Sequence, residues 1–171
     1  MGLVKLENGA SLDDNLDNAI ISDIISEMIQ TYVIDASVVI KWFSDLNEND
    51  LDKANLIRND YLNKKIYLIA PDILIAEISN ALSYNPNFDY DKTSKAIESL
   101  YLLDIKFIRI SRKLIEESVI LRYEKNITIY DALYLSLSKL LKIQLITADN
   151  KLIDKVKDIG NVVFLSDYSS F

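Results

Sequence analysis

From residue 32 onward, short apolar segments rich in β-branched and aromatic residues alternate with longer segments of helical periodicity. The strand candidates are Tyr32–Ile34, Ile66–Ala70, Lys106–Ile110, Gln144–Thr147 and Val162–Leu165. Strands that alternate with helices predict a parallel sheet covered by helices on both faces. We therefore expect an α/β fold with three layers, α/β/α, around a central, mostly parallel five-stranded sheet.

The segments between these strands predict helices. Leu51, Ala54, Ile57 and Tyr61 recur at the spacing of one helix face. Further helical segments surround Leu114 and Leu121 and cover Tyr130–Leu141, Asn150–Lys157 and the residues after Pro71, with Pro71 itself suited to the first helical position. The segment Ser83–Asp91, which contains Asn85-Pro86-Asn87, predicts a loop between two helices.

The charge distribution divides the chain into an acidic N-terminal extension, residues 1–31, and a domain at residues 32–171. The extension has one Lys and six acidic residues, and its apolar spacing allows an amphipathic helix. One interpretation is that the natural product starts at Met28. A second is that the extension packs on the domain or on a dimer partner, and a third is that it covers the functional site, for which six acids are poorly suited.

The composition restricts the chemistry. The chain has no His and no Cys, which excludes Ser-His-Asp and Cys-His nucleophiles and leaves only oxygen ligands for a metal. Oxygen ligands favour Mg²⁺ or Mn²⁺. The net charge of −7 argues against passive coating of nucleic acid but allows an enzyme whose cations reverse the local charge. Only three Gly are present, and no glycine-rich phosphate loop follows a strand.

Four acidic residues lie where predicted strands end or predicted helices begin: Asp35, Glu77, Asp131 and Asp149. In parallel α/β sheets, ligands bind beyond the carboxyl ends of the strands. We therefore expect these carboxylates to converge at one edge of the sheet. At about 4 Å, two like charges repel by about 4 kcal/mol at an effective dielectric near 20, so such a cluster requires a cation or raised pKa values.

Each acid also has a purely structural interpretation. Asp35 and Asp149 have the positions of helix N-caps, and Thr128 with Asp131 resembles a capping box. Glu77 lies beyond the capping positions, so its alternative is an ion pair with a Lys or Arg.

The motifs YVIDASVVIKWF, APDILIAEISNAL, ITIYDALYLSLSKLL and TADNKLIDKV resemble those of the PIN-domain ribonucleases, especially VapC-type toxins of toxin–antitoxin pairs. The resemblance extends from about Tyr32 to Tyr168. It implies that Asp35, Glu77, Asp131 and Asp149 hold one or two Mg²⁺ or Mn²⁺ ions, with Asp154 a weaker candidate. It further implies that Ser37, Asn80 and Thr147 support the ligands or orient water.

The resemblance also implies an activity and partners. The expected activity is endonucleolytic hydrolysis of RNA that leaves a 5′-phosphate and a 3′-hydroxyl. The expected partners are a small antitoxin with a basic tail and a second copy of the chain in a homodimer. Two alternatives stay open: a housekeeping RNA-processing nuclease, and a PIN-fold module that binds a partner or RNA without cleaving it.

Location and base recognition complete the expectations. No apolar run approaches the roughly 20 residues of a membrane span, and no signal-peptide pattern is present, which favours the cytoplasm. Bases of single-stranded RNA commonly stack on aromatic side chains. The candidates are Trp42, Tyr84, Tyr130 and Tyr134. Tyr134, one turn after Asp131, is the candidate for base stacking that we would test, but its helical spacing favours packing in the core.

Overall fold

The computed structural model describes residues 30–44, 46 and 49–170. Its five strands form one sheet in the order β3-β2-β1-β4-β5, and every neighbouring pair is parallel. The strands are β1 (Gln30–Ile34), β2 (Ile66–Pro71), β3 (Lys106–Ile108), β4 (Gln144–Thr147) and β5 (Val162–Phe164). The expected five-stranded α/β/α architecture is confirmed, and the sheet in this part of the chain is parallel throughout.

Seven α-helices connect the described strands. They are α1 (Ala36–Val39), α2 (Leu51–Leu62), α3 (Ile73–Ser83), α4 (Tyr90–Leu102), α5 (Arg112–Lys125), α6 (Ile129–Leu141) and α7 (Asn150–Val156). Short 3₁₀ turns follow α1 at Ile40–Trp42 and β5 at Leu165–Asp167. The connections between parallel strands are right-handed crossovers. The helices between β1 and β3 in the chain therefore cover one face of the sheet, and those between β3 and β5 cover the other.

The core lies between the central strands and α6. Helix α6 packs across β1, β2 and β4 on one side and against α5 on the other. Seven consecutive residues of α6, Ala132 to Ser138, are therefore buried, and Val33 and Ile34 of β1 have no exposed surface. This burial fixes the position of α6 beside the carboxyl ends of β1 and β4.

The observed boundaries correct the sequence analysis in detail. β1 begins two residues before the predicted Tyr32. Pro71 is the last residue of β2 and not the first of a helix, and α3 begins at Ile73. The ladder tolerates this proline because the N–H of the next residue, Asp72, donates to the Ile108 carbonyl over 3.0 Å.

The predicted N-terminal extension, residues 1–31, lies outside the described residues except for Gln30 and Thr31, which belong to β1. The interpretations of that segment, including a start at Met28, therefore stay predictions. Among the described residues, no helix combines the length and the apolar character needed to span a membrane.

Candidate active site

The strand order reverses between β1 and β4, because β2 and β3 continue from β1 on one side and β5 follows β4 on the other. Such a switch point opens a crevice at the carboxyl ends of the two strands. Asp35 directly follows β1, and its N–H donates to the Ile146 carbonyl of β4 over 3.0 Å. Its carboxylate is thereby fixed at the crevice.

The side chain of Asp35 is held by hydroxyl groups from both strand ends. Its Oδ2 accepts hydrogen bonds from Ser37 Oγ at 2.7 Å and from Thr147 Oγ1 at 2.5 Å. Ser37 Oγ in turn accepts from the Ala148 N–H, and Thr147 Oγ1 accepts from the Asp149 N–H. Asp35 occupies the N-cap position of α1 without capping it through its side chain. The interpretation of the Asp35 side chain as a helix N-cap is therefore wrong.

Burial raises the pKa of Asp35, whose residue is only 6% exposed. The hydrogen bonds from Thr147 and Ser37 oppose this rise, while the negative charges of Asp131 and Asp149 add to it. The net result is a raised pKa. Asp131 and Asp149 are therefore near enough to Asp35 for their charges to act on its carboxyl group.

Glu77 lies on α3 and faces α6. Its Oε2 accepts a hydrogen bond from the Tyr134 hydroxyl at 2.5 Å. Burial raises the pKa of Glu77 to about 7; the Tyr134 hydrogen bond opposes the rise, and the charges of Asp35 and Asp131 contribute to it. In the described part of the chain, the hydrogen-bond partner of Glu77 is thus a tyrosine and not the Lys or Arg that the structural alternative required.

Asp131 and Asp149 both cap helices. Asp131 forms a capping box with Thr128: Thr128 Oγ1 accepts from the Asp131 N–H at 3.1 Å, and Asp131 Oδ2 accepts from the Thr128 N–H at 3.3 Å. Asp149 Oδ1 accepts from the N–H groups of Lys151 and Leu152 at the start of α7. The capping interpretation is therefore confirmed for both residues.

Capping does not use up these carboxylates. In each of the four acids, all hydrogen bonds to described residues fall on a single carboxylate oxygen: Oδ2 of Asp35 and Asp131, Oε2 of Glu77 and Oδ1 of Asp149. The second oxygen of each accepts no hydrogen bond from a described residue. The donor set is made of carboxylates and hydroxyls in a chain without His or Cys, and this chemistry fits Mg²⁺ or Mn²⁺.

Each of the four carboxylates is held by its own hydrogen bonds, and the four do not together form a preorganised metal site. Among residues 30–44, 46 and 49–170, no three acidic side chains are grouped as the ligands of one metal ion. Binding of one ion by three of them therefore requires rotation of side chains from these positions.

The remaining candidates differ in their contacts. Ser37 and Thr147 contact Asp35 directly, whereas the exposed Asn80, one turn after Glu77, makes no side-chain hydrogen bond to a described residue. Asp154 forms an exposed ion pair with Lys157 at 2.7 Å. The assignment of metal ligands and of supporting residues stays a prediction.

Sequence reasoning missed the role of the Tyr134 hydroxyl. Tyr134 is 1% exposed, so the expectation that it packs in the core is confirmed and it offers no surface to a base. The sequence signal for this role is that Tyr134 follows Asp131 by three residues, which places both side chains near one another on the same helix. A buried tyrosine hydroxyl needs a partner, and the nearby carboxylate supplies it.

The model of the PIN domain family matches residues 32–158. The chain belongs to the PIN-domain family. Ribonuclease VapC1 of Mycobacterium tuberculosis, in the strains CDC 1551 and H37Rv, is 30% identical over 124 residues, which are 70% of this chain and 86% of the relative. The resemblance to VapC-type members that the motifs indicated is confirmed.

Two solved structures have the same fold. A chain described as a toxin-antitoxin complex from Klebsiella pneumoniae has a TM-score of 0.58 and 20% identity, with 80% of this PIN-domain chain and 99% of that chain covered. A crystal structure of a Pyrobaculum aerophilum protein also has a TM-score of 0.58 and 20% identity, with coverage of 81% and 92%.

Proposed function

We propose that this protein is a metal-dependent endoribonuclease and the toxin of a type II toxin–antitoxin pair. The observation that carries the proposal is the buried Asp35 at the switch point, which accepts hydrogen bonds from Ser37 and Thr147 and lies within range of the charges of Asp131 and Asp149. A fold without a nuclease activity has no evident use for mutual repulsion among acids at its crevice. The relative named Ribonuclease VapC1 supports the reaction class.

In this proposal Asp35, Glu77, Asp131 and Asp149 hold Mg²⁺ or Mn²⁺ through their available oxygens. When bound, such an ion lowers the pKa of a water molecule and neutralises charge on the phosphodiester. Ser37 and Thr147 orient Asp35 through their hydrogen bonds. The water oxygen bonds to phosphorus while the bond from phosphorus to the 3′ oxygen breaks, and the 3′ oxygen receives a proton.

An antitoxin, a homodimer and a cytoplasmic location belong to the same proposal. The crevice is acidic, so a basic side chain of a small partner would be attracted to it. The fold shared with the Klebsiella pneumoniae chain is compatible with such a partner. Analytical ultracentrifugation of the protein with and without the product of an adjacent small reading frame tests both assembly states.

The activity is tested by cleavage of single-stranded RNA by the full-length protein with Mg²⁺, with Mn²⁺ and with EDTA. We expect cleavage only with metal, and a loss of about 100-fold or more for Asp35→Asn, since preorganised electrostatic groups commonly contribute factors of about 10²–10³. Glu116→Gln is the matched control, because it removes one negative charge from an exposed pair with Arg112 on α5. Equal cleavage by Asp35→Asn and the wild type would exclude this site.

A further inference from the structure

A half-exposed tyrosine lies at the edge of the acidic crevice. Tyr130 is 52% exposed in the first turn of α6, immediately before Asp131. Among the other aromatic candidates, Trp42 is 8% exposed and donates its Nε1–H to the Ala54 carbonyl, and Tyr134 is buried. Tyr84 is 83% exposed, but it follows the last residue of α3 and does not adjoin one of the four acids in the chain. Tyr130 is therefore an aromatic ring that can stack with a ligand beside the proposed catalytic carboxylates.

Tyr130 borders a cavity that is continuous with the acidic site. The cavity has a volume of about 550 Å³, within the range of roughly 300–1,000 Å³ found for ligand sites. Ser37, which contacts Asp35, and Glu77 contribute to its wall, so the cavity adjoins the proposed catalytic carboxylates. Its apolar surface comes from side chains such as Ile40 and Ile73.

The charge of the cavity selects among possible occupants. None of the described residues that line it is a Lys or Arg, and Glu77 is an acid. A phosphate or an acidic peptide would therefore find no counter-charge there. A neutral, flat and largely apolar group fits both the walls and the ring of Tyr130.

The wall of the cavity also contains a polar side chain that can form hydrogen bonds with the edge of a nucleobase. Asn80 lines the cavity, and its side-chain amide makes no hydrogen bond to any described residue. An amide offers a donor and an acceptor side by side, which is the pattern that asparagine uses to pair with the edge of a base. An apolar side chain of a protein partner would leave this amide unused.

We propose that this cavity is a nucleobase-binding subsite, in which a base adjoining the scissile phosphate of single-stranded RNA stacks on Tyr130 and presents its polar edge to Asn80. The proposal rests on the proposed ribonuclease function and adds to it where the base is recognised. Stacking of a base on an aromatic side chain contributes about 1–3 kcal/mol by alanine substitution, which is about a 5- to 150-fold change in affinity.

The test uses the full-length protein with Asp35→Asn, so that bound RNA is not cut, in buffer that contains Mg²⁺. Fluorescence anisotropy measures binding of eight-nucleotide poly(rA) and poly(rU), and of an abasic ribose-phosphate octamer of equal charge. Tyr130→Ala and Tyr130→Phe are each combined with Asp35→Asn. Tyr123→Ala is the matched control, because Tyr123 is 80% exposed on a different helix, α5.

We expect Tyr130→Ala to weaken binding of a base-containing octamer by about 5- to 150-fold and to leave abasic binding unchanged. Tyr130→Phe, which keeps the ring, and Tyr123→Ala should bind as the parent does. Unchanged affinity of Tyr130→Ala for the base-containing octamers would overturn the subsite, and so would an equal loss for the abasic octamer. Loss of antitoxin binding with unchanged RNA binding would also overturn it, in favour of a protein occupant.

The two proposals fail in different ways. If wild-type protein does not cleave RNA in the presence of metal, the proposed function fails. If the wild type cleaves and Tyr130→Ala binds and cleaves base-containing RNA equally well, the function stands and the subsite is excluded.

Discussion

Replacement of Tyr134 by Phe tests whether the tyrosine hydroxyl stabilises the ionised form of Glu77. The variant removes a single oxygen from a residue that is 1% exposed and leaves the ring packed. The lost interaction is the 2.5 Å hydrogen bond to Glu77 Oε2. A hydrogen bond to a charged group contributes roughly 1.5–3 kcal/mol to stability, and one between neutral groups roughly 0.5–1.5 kcal/mol.

The pKa of Glu77, about 7, defines the pH range of the effect. Because this pKa is raised above its unfolded value, its stabilising contribution is complete below about pH 4.5 and is lost as the pH rises through 7. The Tyr134 hydrogen bond limits this loss because it lowers the pKa. Tyr134→Phe should therefore cost about 1.5–3 kcal/mol of unfolding free energy at pH 8.5 but only about 0.5–1.5 kcal/mol at pH 5.5.

Urea denaturation in EDTA at the two pH values measures these free energies by linear extrapolation. The control is the same tyrosine substitution in a Glu77→Gln background, where no carboxylate is present and the cost should be small and independent of pH. An identical cost of Tyr134→Phe at pH 5.5 and pH 8.5 would refute the assignment. A cost of about 1.5–3 kcal/mol in the Glu77→Gln background would equally show that the negative charge of Glu77 is not responsible.

Two further predictions concern other carboxylates. Burial alone would raise the pKa of Asp60, but hydrogen bonds from Tyr168, Ser170 and Lys65 lower it overall. Asp60→Ala should therefore reduce the free energy of unfolding by about 2–4 kcal/mol at pH 7, measured by urea denaturation. This cost should shrink as the pH falls through the lowered pKa; a constant cost from pH 7 to pH 3 would contradict it. Ser37→Ala and Thr147→Val each remove one hydrogen-bond donor to Asp35. Each should reduce RNA cleavage about 10- to 100-fold at limiting metal and shift the acidic limb of the pH–rate profile to higher pH. An unshifted acidic limb would contradict the assigned hydrogen bonds.

The sheet could be predicted from local pattern because the central strands β1, β2 and β4 are largely apolar on both faces. Such strands are buried beneath helices on both sides, and the alternation with helices implies parallel crossovers. The order β3-β2-β1-β4-β5 depends on pairing between distant segments, which no single segment encodes. The error at Pro71 has a similar origin, since a proline after a strand suits a helix start equally well until the neighbouring strand is known.

Asp131 and Asp149 each take part in helix capping and also act electrostatically on Asp35. From the sequence alone, capping and metal binding are alternative interpretations of Asp131 and Asp149. A carboxylate has two oxygens, and in both residues the helix N–H groups use only one of them. A cap can therefore hold a carboxylate at the proposed active site, since the capping bonds fix the side chain and use only one of its two oxygens.

The contrast between Tyr130 and Tyr134 shows what periodicity leaves undetermined. The two residues are four positions apart and so lie on one face of α6, yet Tyr130 is 52% exposed and Tyr134 is 1% exposed. The reason is that the first turn of α6 lies at the crevice, whereas the next turn packs against strands and α5. The same face of one helix thus supplies a hydroxyl to the half-buried Glu77 and, one turn earlier, an aromatic ring to the cavity. Depth along a helix depends on where neighbouring elements end, so only the assembled fold separates the two roles.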